Sequence, residues 1–142
     1  MLRERATSPA VIVGAIIAAG SLGLYLATIA PSLTFGYRSI GMDGGELLAA
    51  ANTLGIPHPP GYPTYTLLLK VFATLVPIGD FAHRGNLLSA LLASAAVGTL
   101  YWVITCFCRC IRSEGPPLFW IASATLGSLV FATSPLFWSQ AT

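Results

Sequence analysis

The sequence predicts an all-α integral membrane protein, and three observations carry that reading. Hydrophobic residues make up 55% of the 142 and charged residues 8%, against about 25% charged in ordinary soluble domains. Mean hydropathy is +0.76. Three uncharged runs, Pro9 to Ala30, Gly85 to Cys108 and Pro117 to Trp138, each reach the roughly 20 residues needed to cross a hydrocarbon core. No soluble domain, repeat or linker interrupts this pattern, so residues 1–142 read as one membrane unit with three transmembrane helices.

The first run follows Arg3 and Arg5 and ends in Thr28-Ile29-Ala30, which loosely resembles a secretory cleavage site. Its apolar length exceeds the roughly 7–15 residues of a signal core, so it reads as a retained helix. The stretch from Tyr62 to Pro77 is shorter and carries Lys70 at its centre. Thr66, Lys70, Thr74 and Pro77 recur at near-helical spacing opposite Leu67, Leu68, Val71, Phe72 and Leu75. That is the pattern of an amphipathic helix lying in the membrane interface. With this stretch not spanning, Arg3, Arg5, Arg109 and Arg112 share one side, which the positive-inside rule assigns to the cytoplasm. The amino terminus is then cytoplasmic, and residues 31–84 form an external loop.

That loop holds nearly all the polar chemistry. The chain has five acidic residues, and two of them, Asp43 and Glu46, lie three positions apart in Gly41-Met42-Asp43-Gly44-Gly45-Glu46. Asp43 to Leu54 reads as a short helix, with Asp43 capping its start, Glu46 completing a capping box and Gly55 ending it. Pro57, Pro59, Pro60 and Pro63 then impose a stiff extended turn around His58, because each proline fixes its own φ and pushes its predecessor away from the helical region. The loop therefore predicts a helix, a rigid turn and a second interfacial helix.

Two readings of these residues stay open. The carboxylates of Asp43 and Glu46 either cap a helix only, or Asp43 is also a general base or a metal-site acid, since a carboxylate near a membrane and a helix start can have a shifted pKa. His58 is either a positioned hydrogen-bonding residue or an incidental loop histidine. With His83 as the only other histidine, a histidine-rich metal site is unsupported. Lys70 and Arg84 either bind a phosphate at the membrane surface or snorkel to it. Scattered basic residues leave no nucleic-acid footprint.

Cys106, Cys108 and Cys110 spread around a helix axis and do not match zinc spacing; they read as reduced thiols, with juxtamembrane acylation a weaker alternative. Tyr101, Trp102, Trp120, Phe137 and Trp138 fit aromatic belts. Ser89, Ala93, Ala96 and Val97, with Ala122, Ala124, Gly127 and Ser128, suggest close helix packing.

Four ordered motifs carry a resemblance. Met-Asp-Gly-Gly-Glu-Leu-Leu-Ala-Ala-Ala from Met42, Leu-Gly-Ile-Pro-His-Pro-Pro-Gly-Tyr-Pro-Thr-Tyr from Leu54, Arg-Gly-Asn-Leu-Leu-Ser-Ala-Leu from Arg84 and Ser-Pro-Leu-Phe-Trp-Ser-Gln-Ala from Ser134 resemble the start of a bacterial membrane family of unknown function related to a vertebrate protein O-mannosyltransferase. The acidic loop followed by His-Pro-Pro is also similar to the broader O-mannosyltransferase pattern within the GT-C glycosyltransferases.

The resemblance implies a partial GT-C bundle in a bacterial inner membrane. It further implies a polyprenyl-phosphate sugar donor, a protein or glycan acceptor and chemistry on the extracytoplasmic side. Carried over by position, Asp43 acts at the acceptor as base or through a divalent cation, Glu46 is its neighbour, His58 belongs to the His-Pro-Pro turn and Arg84 opens the second span. The expected reaction is an inverting transfer, with positive charge from Arg84 and Lys70 beside the departing phosphate. Here Gly-Gly separates Asp43 from Glu46, where the better-known mannosyltransferases have adjacent Asp-Glu. The chain is expected to be an amino-terminal portion, inactive alone. A non-catalytic scaffold or subunit, or a transporter fragment, is the alternative; transporters more often place ionisable residues within their spans near the midplane, and these three spans are uncharged.

Overall fold

Six helices form the described part of the chain, residues 9–33, 42–111 and 116–142 of a computed structural model. They are α1 (Pro9–Thr28), α2 (Met42–Thr53), α3 (Pro63–Leu75), α4 (Phe81–Ile111), α5 (Pro117–Ala132) and α6 (Pro135–Ala141). Arg3, Arg5 and Arg112, which enter the charge argument, lie outside the described residues.

The long helix α4 is the axis of the molecule, with α1 and α5 packed along it. The buried residues recur at helical spacing: Ile17, Ser21 and Tyr25 on α1, Ala90, Ser94, Val97, Tyr101 and Thr105 on α4, and Ala124, Ser128 and Ala132 on α5. Small side chains let the backbones approach, as expected where lipid offers no hydrophobic contrast between helices. A Cβ at Gly14 would lie 2.8 Å from the Tyr101 ring, so that glycine is the notch into which the ring fits. Of the small residues singled out in the sequence, Val97, Ala124 and Ser128 are buried, whereas Ala96 and Ala122 face outward. The outer surface carries Ile12, Ile16, Val103, Phe107, Leu126 and Val130. Two of the buried hydroxyls bond back to their own helix, Ser94 to Leu91 O and Thr105 to Tyr101 O, both at 2.9 Å, which satisfies them without water.

Helices α1 and α4 are each long and apolar enough to cross a membrane, and α5 with α6 makes a third span if that bent pair is counted as one. The chain is therefore an all-helical integral membrane protein. The third span differs from the continuous helix expected over 117–138: α5 and α6 meet at 66°. Pro135 lacks an N–H and excludes Ser134 from the helical region, and Ser134 is extended at φ −64°, ψ 133°. The Ala132 carbonyl at the end of α5 accepts a hydrogen bond from the buried Tyr25 hydroxyl at 2.9 Å. Trp138 Nε1 donates to Thr28 Oγ1 at 3.1 Å and Ala30 N to Thr142 O at 3.0 Å, tying α6 to the end of α1.

Over the start of α4 sits the hairpin of α2 and α3, built around a second apolar cluster of Ala51, Leu69, Ala73 and Leu88. A Cβ at Gly85 would stand 2.5 Å from Leu48 Cδ2, so Gly85 is the recess that seats α2 on α4. On α3 the two faces are inverted relative to a free amphipathic helix. Thr66, Leu69 and Ala73 are buried against the protein, whereas Leu67, Leu68, Val71 and Leu75 are exposed. An apolar face turned away from the protein at a membrane-protein end is the arrangement an interfacial helix requires. Asp80 caps α4, accepting from His83 N at 2.7 Å, and also receives the Ser32 hydroxyl. His83 Nδ1 lies 3.1 Å from Ala30 O, and Asn86 Nδ2 donates to the same carbonyl at 3.1 Å, closing the end of α1.

Candidate active site: an acid–imidazole cluster on the α2–α3 hairpin

Asp43 lies in the first turn of α2 and Glu46 one turn later, so the helix places both on the side facing the turn before α3. The expected capping box does not form: Glu46 turns both oxygens to His58. His58 N donates to Oε1 at 2.7 Å, and the ring Nδ1 is 2.9 Å from Oε2. Helix α2 ends one residue earlier than expected, with Leu54 in the left-handed region at φ 56°. Gly55 N bonds to Ala50 O at 2.9 Å, a Schellman closure with glycine in its second position.

The chain then turns sharply. Gly61 N bonds to His58 O at 2.9 Å across Pro59 and Pro60, whose peptide bond is cis. Tyr62 takes φ 42° and starts α3, and its ring meets the His58 ring edge-on at 5.4 Å between centroids. Tyr62 was not singled out in the sequence. The available signal was its place four residues after His58, directly behind a Pro-Pro-Gly turn.

His58 is thus held at its backbone by one Glu46 oxygen, at Nδ1 by the other, and along its edge by Tyr62. Its Nε2 is left facing Asp43, 4.0 Å from Oδ2. The Asp43 side chain is 65% exposed. The hydrogen bond from His58 holds the Glu46 carboxyl below the usual carboxylate range, and its contact with the backbone N–H acts in the same direction. The same hydrogen bond raises the His58 pKa above its ordinary value, opposed by desolvation and aided by the charges of Glu46 and Asp43.

The two cations proposed from the sequence are engaged elsewhere. Lys70 Nζ donates to Asn52 O at 2.6 Å, at the end of α2, and lies 6.0 Å from the Phe81 ring centroid. Arg84 donates from Nη1 to Ala73 O at 2.9 Å and from Nη2 to Gly79 O at 3.1 Å. Both occupy carbonyls freed at helix ends and turns, the positions a helix dipole makes attractive to cations.

Asp43, which the resemblance offers to a divalent cation, keeps an exposed carboxylate. Glu46 commits both oxygens to His58, and among the described residues no three His, Cys, Asp or Glu side chains form a group able to hold an ion. What the arrangement can do is accept, hold and move a proton at an exposed carboxylate.

A helical membrane protein bearing an acid–imidazole cluster on a hairpin beside its spans is the class these features define. The model of the Protein O-mannosyl-transferase TMEM260 N-terminal domain matches residues 43–142, and the chain belongs to that family. It is 37% identical over 120 residues to the mouse Protein O-mannosyl-transferase TMEM260, covering 84% of this chain and 16% of the mouse protein. It is 30% identical over 110 residues to Protein O-mannosyl-transferase tmem260 of Dictyostelium discoideum, covering 72% of this chain and 12% of that protein. The chain therefore spans under a fifth of the length of these relatives. No solved structure matches.

Proposed function

We propose that this chain supplies the acceptor-side part of a membrane O-mannosyltransferase of the GT-C type. Its donor is a polyprenyl-phosphate sugar, its acceptor a protein or glycan hydroxyl, and transfer takes place on the extracytoplasmic side. The observation that carries this reading is the exposed Asp43 carboxylate, set at the start of α2 with His58 Nε2 4.0 Å away.

In the proposed reaction the acceptor hydroxyl oxygen attacks the anomeric carbon of the sugar. The bond from that carbon to the phosphate oxygen breaks, its electron pair leaving with the lipid phosphate, while the hydroxyl proton goes to Asp43. Under this reading Lys70 holds the hairpin shut, and Arg84 ties α3 to the start of α4 and presents its charge there. The chain acts as an amino-terminal portion, its amino terminus in the cytoplasm of a bacterial inner membrane, with further helices completing the donor pocket.

The test uses the full-length protein with a short-chain polyprenyl-phosphate mannose and a peptide containing Ser and Thr. The expected product is a mannosyl peptide whose anomeric configuration is inverted relative to the donor. Retained configuration, or transfer from a nucleotide sugar with no lipid-linked donor, would sink the reading.

A further inference from the structure

An ionised carboxylate only accepts hydrogen bonds. Glu46 faces His58 at both the backbone N–H and Nδ1, so Nδ1 must carry a proton and Nε2 is the ring atom that gains or loses one. That atom is the one turned toward Asp43. A base oriented by a third group that fixes its tautomer is a recurring device for moving protons, and Glu46 stands in the place of that third group.

We propose that Glu46 is a positioning residue that fixes the His58 imidazole with Nε2 toward Asp43, so that the proton Asp43 takes from the acceptor hydroxyl passes on to His58. This rests on the reading of Asp43 as the base. As the acceptor oxygen bonds to the sugar carbon, its proton moves to an Asp43 oxygen. It then moves to the Nε2 lone pair, leaving Asp43 a carboxylate and His58 an imidazolium whose charge Glu46 offsets.

The 4.0 Å gap exceeds a hydrogen bond, but it lies within one side-chain rotation of the exposed Asp43 or one bridging water. The hairpin makes the placement rigid: Glu46 sits on a helix seated by Leu48 in the Gly85 recess, and His58 sits in a turn closed by Gly61 N to His58 O. Among the described residues, the titratable groups facing His58 are Glu46 and Asp43 from α2 and Tyr62 from the start of α3.

The experiment compares pH–rate profiles of the full-length protein with its E46Q, H58Q and D43N variants, using the lipid-linked mannose donor and peptide acceptor. ¹⁵N spectra of His58 are recorded alongside. The relay requires Nε2 to be unprotonated, so the rate falls in acid as His58 charges. E46Q is expected to move that acid limb to lower pH, to lower the plateau, and to loosen the Nδ1–H tautomer seen in the wild type. H58Q is expected to remove the limb and cut the plateau by about 10²-fold. A role limited to holding the fold would move none of the limb positions. Loss of transfer in D43N together with an unmoved limb and unmoved His58 titration in E46Q overturns the relay and leaves Asp43 as the base. Undiminished transfer in D43N overturns the base reading and the relay with it.

Discussion

Glu46 binds His58 twice, accepting from its backbone N–H at 2.7 Å and facing its ring Nδ1 at 2.9 Å, across twelve residues of sequence. One carboxylate thereby fixes both the position of the turn after α2 and the orientation of the ring it carries. The pair couples the hairpin's shape to protonation.

The sign of that coupling follows from the two shifts. Glu46 is lowered from 4.5 in the folded state, so its contribution to stability is present above 4.5 and lost as pH falls through the depressed value. His58 is raised from 6.5, so its contribution is fully present below 6.5 and lost as pH rises through the elevated value. Hydrogen exchange at the His58 amide, corrected for intrinsic rate, should therefore be slowest between pH 4.5 and 6.5. In E46Q the profile should be flat. A flat profile in the wild type would count against the contact.

Tyr25 donates to the carbonyl of Ala132, which lies beside the break that Ser134-Pro135 makes in the third span. Tyr25→Phe leaves that buried acceptor without its partner and should cost about 1 kcal/mol, measured by denaturant unfolding in detergent. Unchanged stability would mean another donor replaces the hydroxyl.

Gly85 separates packing from chemistry. An added methyl clashes only with the tip of Leu48 and meets Leu69 at ordinary contact distance, so Gly85→Ala should be absorbed by a rotamer change. Gly85→Leu must push α2 away from α4 and carry Asp43 and Glu46 with it. Transfer should fall on the order of 10²-fold, while overpacking costs about 1–3 kcal/mol. Equal losses for the two variants would show that α2 is not seated there.

Orientation is open to labelling. In a protein whose other cysteines are replaced, Ile78→Cys, exposed just before α4, should react with an impermeant thiol reagent from outside intact cells. Cys110, exposed at the far end of α4, should react only after the membrane is opened. The reverse pattern would invert the proposed topology.

Much of this fold is legible in the sequence because a bilayer reduces it to uncharged length, and the runs at Pro9, Gly85 and Pro117 could hardly be missed. Scarcity of charge likewise drew attention to Asp43, Glu46 and His58. What stayed hidden depends on tertiary competition. A carboxylate three residues into a helix has a local partner in the cap, and nothing local reveals that His58 outcompetes it. The carbonyl partners of Lys70 and Arg84 come into view only when the ends of α2 and α3 are placed beside them. The bend at Ser134 was written in Pro135, but an apolar run long enough to span concealed it.

The most direct test of the central claim is the single-turnover rate of mannosyl transfer by the full-length Asp43→Asn protein at saturating donor, with donor binding measured separately. The expected result is donor binding as in the wild type and a rate reduced by about 10²–10⁴-fold, the range for removing a general base. Transfer at the wild-type rate would contradict the assignment of Asp43 as the group that takes the acceptor's proton.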